Sequence, residues 1–160
     1  GSVVERAPGF DSRARSRHAA RRMRAHRFFD HTGDFGADLE ASSEAELFEA
    51  SVDALVALLV EDPRAIEERE TRALEVRGLD GAEQLVGLGN ELLYWFETGW
   101  LARRVAVDEL GDDRLVATAH GEPYDPARHA IARPMKAVTH PGGRAEARGG
   151  RWSGRLIYDL

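Results

Sequence analysis

Two carboxylates and an imidazole fall within five consecutive residues: Asp30, His31 and Asp34 in "FFDHTGDFG". Oxygen donors gathered at a turn are what calcium, magnesium or manganese would use, yet such a site needs more groups than one loop supplies. The alternative for the same residues is a polar turn, in which Asp30 bonds its own backbone, Thr32 and Gly33 allow the reversal, and Asp34 is solvated. The far end of the chain carries further acid. "RLIYDL" reads as an apolar strand finishing in Asp159 and the free carboxylate of Leu160, an anionic pair with no counterion close in sequence. If that strand lies beside the first, Asp34, Asp159 and the terminus form one oxygen cage; otherwise they are a frayed tail.

Lysine usage singles out a third group. Arginine occurs 21 times and lysine once, at Lys136 in "RPMKAVTH". A compact, rotatable ammonium does a different job from a planar guanidinium, such as meeting a phosphate or a partly buried carboxylate; an arginine-biased chain also leaves one lysine by chance. His140 follows on the same segment, and His120 with Glu122 sits in "ATAHGEPYDPARH". Each is a lone histidine near a strand end, where a satisfied or surface role competes with ligation. There is no HExxH, no GxSxG and no glycine-rich phosphate loop leading into a helix. "GLGN" at Gly87 to Asn90 lies inside a helical pattern, which removes it as a dinucleotide fingerprint.

The elements that must position these groups are legible in order. "DFGADLEAS" alternates like a half-buried strand. Ser43 with Glu46 forms a capping-box pattern, and Leu47, Phe48, Val52, Leu55, Leu58 and Leu59 recur at helical spacing, which predicts a helix over about Glu44 to Glu61, ended by Pro63. "RETRALEVRG" puts Leu74 and Val76 on one face of a strand. Asp80 with Glu83 repeats the capping signal ahead of a second helix, "AEQLVGLGNELLYWFETG". Four strands then follow, "LARRVAVDEL", "RLVATAHG", "IARPMKAVTH" and "RWSGRLIYDL", punctuated by "GDD", "EPYDPARH" and "PGG". This order is not regular alternation, which argues against a doubly wound parallel sheet. The fold class expected is α+β, two helices packed on a mostly antiparallel sheet or sandwich, with paired units compatible with a duplicated strand-helix-strand-strand plan.

Composition narrows the function classes. A chain of 160 residues with 42% hydrophobic content is the size of one domain with a sizeable core. No run approaches the roughly 18 apolar residues of a membrane span, and the amino terminus lacks the pattern of a secretory signal, so a soluble, cytoplasmic protein is expected. The absence of cysteine leaves any metal to oxygen and imidazole ligands. The net charge of −6 is uneven: residues 1–22 carry +4, which leaves residues 23–160 at −10. Residues 1–22 read as a basic arm, disordered or an extension upstream of Met23, with an opening "GS" like a tag remnant; residues 23–160 read as a single domain. An acidic body repels phosphate backbones, which counts against general nucleic-acid binding.

The ordered set "FFDHTGDFGADLEASSEAELFEAS", "GNELLYWFET", "HGEPYDPARH", "MKAVTH" and "LIYDL" resembles the archease family from about Arg27 to Leu160. The resemblance implies a non-catalytic accessory protein that promotes guanylylation and multiple turnover of an RtcB-type RNA ligase in tRNA splicing and RNA repair. It also implies a divalent metal site, calcium favoured and magnesium or manganese compatible, built from Asp34 and Asp159. The Leu160 carboxylate is the natural additional ligand, and Asp30 and His31 are supporting groups around the site. Lys136 falls in the family's "KAxT" segment and would contact a partner or phosphate, with His140 beside it. Two departures stand out: "HTGDF" replaces the common "HTADI", and "KAVTH" runs directly into Pro141 where "KAITYH" is usual, which puts the place of His140 in doubt. Two rival functions are a small metal-dependent phosphoesterase and a general chaperone or modulator of nucleic-acid-modifying enzymes.

Overall fold

The computed structural model describes residues 23–31, 33–140 and 145–160. Residues 1–22, read as the basic arm, Thr32 and residues 141–144, which include "PGG", lie outside them. Strands β1 (Arg24–His31) and β2 (Asp34–Ala41) form a hairpin, followed by helix α1 (Glu44–Leu59), a 3₁₀ turn (Pro63–Ala65), β3 (Glu70–Arg77) and helix α2 (Gly81–Glu97). Then come β4 (Trp100–Leu110), β5 (Arg114–Pro123), β6 (Ala137–Thr139), β7 (Ala145–Arg148) and β8 (Arg151–Asp159). All strand pairs are antiparallel. They build two sheets, one in the order β1-β2-β8-β6 with β7 also on β8, the other in the order β3-β5-β4. The expected two-helix α+β fold is therefore realised with two separate sheets.

Helix α1 starts where the sequence places it. The Ser43 hydroxyl accepts from the Glu46 amide at 3.1 Å, and Glu46 in turn accepts from the Ser42 and Ser43 hydroxyls. The helix touches β2, β1 and β8 of one sheet and β4 of the other. Leu47, Phe48, Val52, Leu55, Val56, Leu58 and Leu59 are all buried, because a helix that packs on both sides has no wet face to keep polar. The buried acid Glu49 is used as a tie: one oxygen accepts from Arg24 of β1 at 2.9 Å, the other from the Val107 amide of β4 at 3.1 Å.

Helix α2 is capped by Asp80, whose carboxylate accepts from the Glu83 amide at 2.9 Å, while Glu83 accepts from the Leu79 amide at 2.7 Å. It lies against β3, β4, β6 and α1. Among the described residues no helix is long and apolar enough to cross a membrane.

Three boundaries differ from expectation. Helix α1 stops at Leu59, two residues early: Val60 turns extended (φ −112°, ψ 152°) and forms a lone bridge with Ile131, so its apolar side chain continues the core and not the helix. "IARPMKAVTH" is a strand only over Ala137–Thr139; Pro134 has no amide to give a ladder, and the Ala132 and Arg133 amides go to the end of α1 through the Leu59 carbonyl. Strand β7 was not anticipated.

Candidate metal centre

The β2–β8 register brings the two distant aspartates together. Phe35 faces Tyr158, Ala37 faces Leu156, Leu39 faces Gly154 and Ala41 faces Trp152. These residues turn toward the helices: Tyr158 is 1% exposed and its hydroxyl reaches the Ser51 carbonyl of α1 at 3.4 Å. Burial pushes its phenol well above the usual range. Asp34 and Asp159 are the next positions after the Phe35–Tyr158 pair, side by side on neighbouring strands. Alternation turns both to the face away from the helices. Both are half-buried. Like charges set opposite each other on a sheet repel, and a cation bound between them would offset that repulsion.

The turn into β2 is set by Gly33, at φ 75°, a backbone region that suits glycine. His31 pairs with Asp34, so its backbone belongs to the same corner, though its side chain lies outside the described residues. Asp30 pairs with Phe35. That register assigns Asp30 to the helix-side face of the hairpin, opposite to Asp34, and it is exposed. Gly36 follows Asp34 on the outer face because the Phe29 ring lies across it; a Cβ there would run into that ring. Arg155 lies over the Phe29 ring, 4.5 Å from its centroid, and pairs through two nitrogens with Asp38 at 2.7 and 3.2 Å.

Strand β6 completes the corner. Ala137 is the register partner of Asp159, and the Lys136 amide donates to the Asp159 carbonyl at 2.8 Å. The Lys136 side chain is exposed. Leu160 packs its side chain against the core, which holds the terminal carboxylate within the same corner. His140, just beyond β6, is half-buried, and its Nδ1 has no hydrogen-bond partner among the described residues. Asp34, Asp159, Leu160, Lys136 and the backbone of His31 thus meet at one end of the five-stranded sheet, with Asp30 on its other face.

The donor set there fits a hard divalent ion. Among the described residues no three His, Cys, Asp or Glu side chains cluster as metal ligands. A divalent ion at this corner would draw on the terminal carboxylate together with Asp34 and Asp159, an all-oxygen, anionic set of the kind calcium, magnesium and manganese accept.

Glu122 has a different role. It is 1% exposed, and its carboxylate accepts from Arg128 at 3.0 and 2.9 Å, from the Glu67 amide at 2.8 Å and from His129 Nε2 at 2.8 Å. His129 Nδ1 accepts from the Asp125 amide at 2.9 Å, so the ring proton sits on Nε2 and points at Glu122. The Arg128 hydrogen bonds, against the cost of burial, hold the Glu122 carboxyl down at about 2. Its oxygens are fully engaged, and "HGEPYDPARH" is a folded ion-pair knot. His120 stands apart on β5, its Nδ1 4.0 Å from Glu68.

Sequence reasoning passed over Asn90. On α2, its side-chain oxygen accepts from the Val138 amide at 2.8 Å and its NH₂ donates to the Val138 carbonyl at 3.1 Å. The only signal was an amide side chain beside glycine on the helix.

Comparison with known proteins agrees with this architecture. The sequence model described as the archease protein family (MTH1598/TM1083) matches residues 26–160. The chain is 32% identical over 135 residues to protein archease of Methanopyrus kandleri, covering 82% of this chain and 96% of that protein. It is 31% identical to protein archease of Pyrococcus abyssi, over 86% of this chain and the whole of that protein. The solution structure of Methanobacterium thermoautotrophicum protein 1598 superposes with a TM-score of 0.68 at 28% identity, covering 84% of this chain and 98% of that one. A Thermotoga maritima crystal structure, described as an archease and possible chaperone, shares the fold with a TM-score of 0.57 at 16% identity, covering 82% and 94%. The chain belongs to the archease family.

Proposed function

We propose that this chain is a metal-binding accessory protein that promotes guanylylation and multiple turnover of an RtcB-type RNA ligase, and that it performs no covalent chemistry itself. The observation that carries this reading is the pairing of Asp34 and Asp159, from opposite ends of the domain, at one corner of a sheet beside the chain's single lysine. Asp34, Asp159 and the Leu160 carboxylate hold the ion, calcium favoured, with magnesium or manganese also suited to the oxygen donors. When bound, the ion supplies a positive centre that offsets the acidic corner and can be shared with oxygen groups of a partner.

The chain's own residues do the remaining work. Asp34 and Asp159 bind; the buried Tyr158 and the half-buried Phe35 hold them in register; the exposed Lys136 ammonium meets a phosphate or carboxylate of the ligase. The −10 charge of residues 23–160 supports a protein partner over a nucleic-acid one. The cytoplasm, where RNA ligation and its nucleotide substrate are found, is the compartment this reading requires.

The test is a ligation count. A small molar fraction of the protein is mixed with an RtcB-type ligase, GTP, manganese and excess RNA ends, with wild type and Asp159→Ala compared. Many ligations per ligase with wild type and about one with the variant support the reading. No change with either protein overturns it, and phosphoester hydrolysis without ligase would point to the enzyme alternative.

A further inference from the structure

Strand β6 is three residues long, yet it carries the segment that places Lys136 beside Asp159. One edge of it is paired with β8. On the other edge no strand is found among the described residues: both main-chain groups of Val138 are taken by Asn90. An amide side chain offers a donor and an acceptor at about the spacing of a peptide group, so Asn90 supplies what a neighbouring strand residue would. The backbone also fixes which way round the amide lies, since the Val138 amide must meet oxygen and its carbonyl must meet NH₂. Gly89 makes the approach possible, because a Cβ there would lie 2.8 Å from Val138 Cγ2. The "GN" pair that is no dinucleotide fingerprint is thus a clamp between α2 and β6.

We propose that Asn90 is a positioning residue, which fixes the lateral place of Lys136 relative to Asp159 and so couples ligase activation to α2. The inference rests on the accessory-factor reading above. Met135, 9% exposed, anchors the depth of the segment in the core; Asn90 and β8 together set its position along the sheet. Asp159 meets β6 through Ala137 and the Lys136 amide, but the strand that carries it, β8, is held on β2 from Trp152 to Tyr158, so loss of the clamp displaces the lysine more than the metal donors.

A graded series tests this. Asn90 makes two bonds to Val138, Asn90→Asp keeps only the acceptor, and Asn90→Ala keeps neither while favouring the helix. Removing both bonds should lower hydrogen-exchange protection of the Val138 amide about tenfold or more, with protection in β2 and β8 unchanged. Calcium affinity by calorimetry should stay within about threefold of wild type, while the amount of protein giving half-maximal ligase activation rises about tenfold, in the order Asn, Asp, Ala. Gly89→Ala, which pushes Val138 away without touching Asn90, should reproduce the split between retained calcium binding and lost activation. Unchanged exchange in Asn90→Ala overturns the clamp. Lost protection with full activation overturns the positioning role while leaving the accessory function standing. If wild type itself leaves the ligation count unchanged, the accessory function fails and the positioning role with it, and the exchange series then speaks only for the clamp.

Discussion

The Glu122 knot gives the most sharply quantified prediction. Glu122→Gln keeps shape and volume but replaces one carboxylate oxygen by NH₂. The remaining carbonyl oxygen can still accept from the Glu67 amide and His129, which both converge on Oε2 at 2.8 Å. The new NH₂ then faces Arg128 Nη1, donor against donor, where a 3.0 Å charge-assisted bond had been. Arg128 keeps its Nη2 bond to the remaining oxygen at 2.9 Å, now to a neutral carbonyl, its bond to the Ala65 carbonyl at 3.1 Å and its ion pair with Glu67 at 3.6 Å. Breaking a buried pair costs about 3–5 kcal/mol, and because the Arg128 side chain is 35% exposed and can turn to water, the low end applies, about 3 kcal/mol. In urea this appears as a midpoint lower by roughly 1.5 M at an unchanged slope of about 2 kcal/mol/M, and as a Tm lower by about 6–12 °C for a domain of this size. Calcium affinity should not move, because Glu122 belongs to β5 of the other sheet. A loss under about 1 kcal/mol would refute the assignment of Glu122 as a buried structural anion, since a surface carboxylate behaves that way.

Other predictions follow from the same geometry. Because the folded carboxyl of Glu122 lies at about 2, below its ordinary 4.5, its stabilising contribution is complete above pH 4.5 and drains away as the pH falls toward 2. The Tm difference between wild type and Glu122→Gln should therefore narrow on acidification from pH 6 to about pH 2.5, and a widening gap would contradict the sign. Asp159→Asn should lower calcium affinity by at least about 100-fold in calorimetry without lowering the metal-free Tm, since it removes one of two facing like charges; a large metal-free loss would mean that Asp159 is structural. Gly36→Ala should cost about 1–3 kcal/mol in urea unfolding, because Phe29 must leave its place against Arg155; a neutral result would show that the ring moves freely.

What the sequence showed and what it hid divide along sequence separation. Both helix starts were legible because a cap is local chemistry: Ser43 with Glu46 and Asp80 with Glu83 bond across three residues. The end of α1 was misjudged because Val60 satisfies helical spacing as well as it satisfies the bridge to Ile131, and only the second partner, far along the chain, chooses. Strand β6 was overdrawn for the same reason, its neighbours being claimed by the Leu59 carbonyl. The adjacency of Asp34 and Asp159 depends on β2 pairing with β8, which no periodicity can announce; the alternation along each strand told only which residues would share a face. Asn90 was invisible because its partner, Val138, lies 48 residues away, and α2 carries other polar residues among which nothing local singles it out.

The arginine bias acquires a physical sense once the contacts are laid out. Arg128 grips Glu122 through two nitrogens, Arg155 grips Asp38 likewise, Arg24 joins Glu49 and Asp53, and Arg72 lies over Trp95 and Trp100 at 5.4 and 4.7 Å. Each is a planar fork or stacking job inside the chain, of the kind guanidinium does and ammonium does poorly. Lys136 makes none of the ion pairs found among the described residues and stands exposed beside the acidic corner. An arginine there could lock onto Asp159 or the chain terminus in the same bidentate manner and neutralise the corner from within. A lysine, strongly hydrated and single-pointed, remains available to a partner. Lys136→Arg is therefore not a conservative change here: it should preserve folding and charge yet weaken calcium binding by competing for the same carboxylates. Calorimetry with calcium decides, and an affinity equal to wild type would show that the ammonium's reach, and not its chemistry, is what the corner requires.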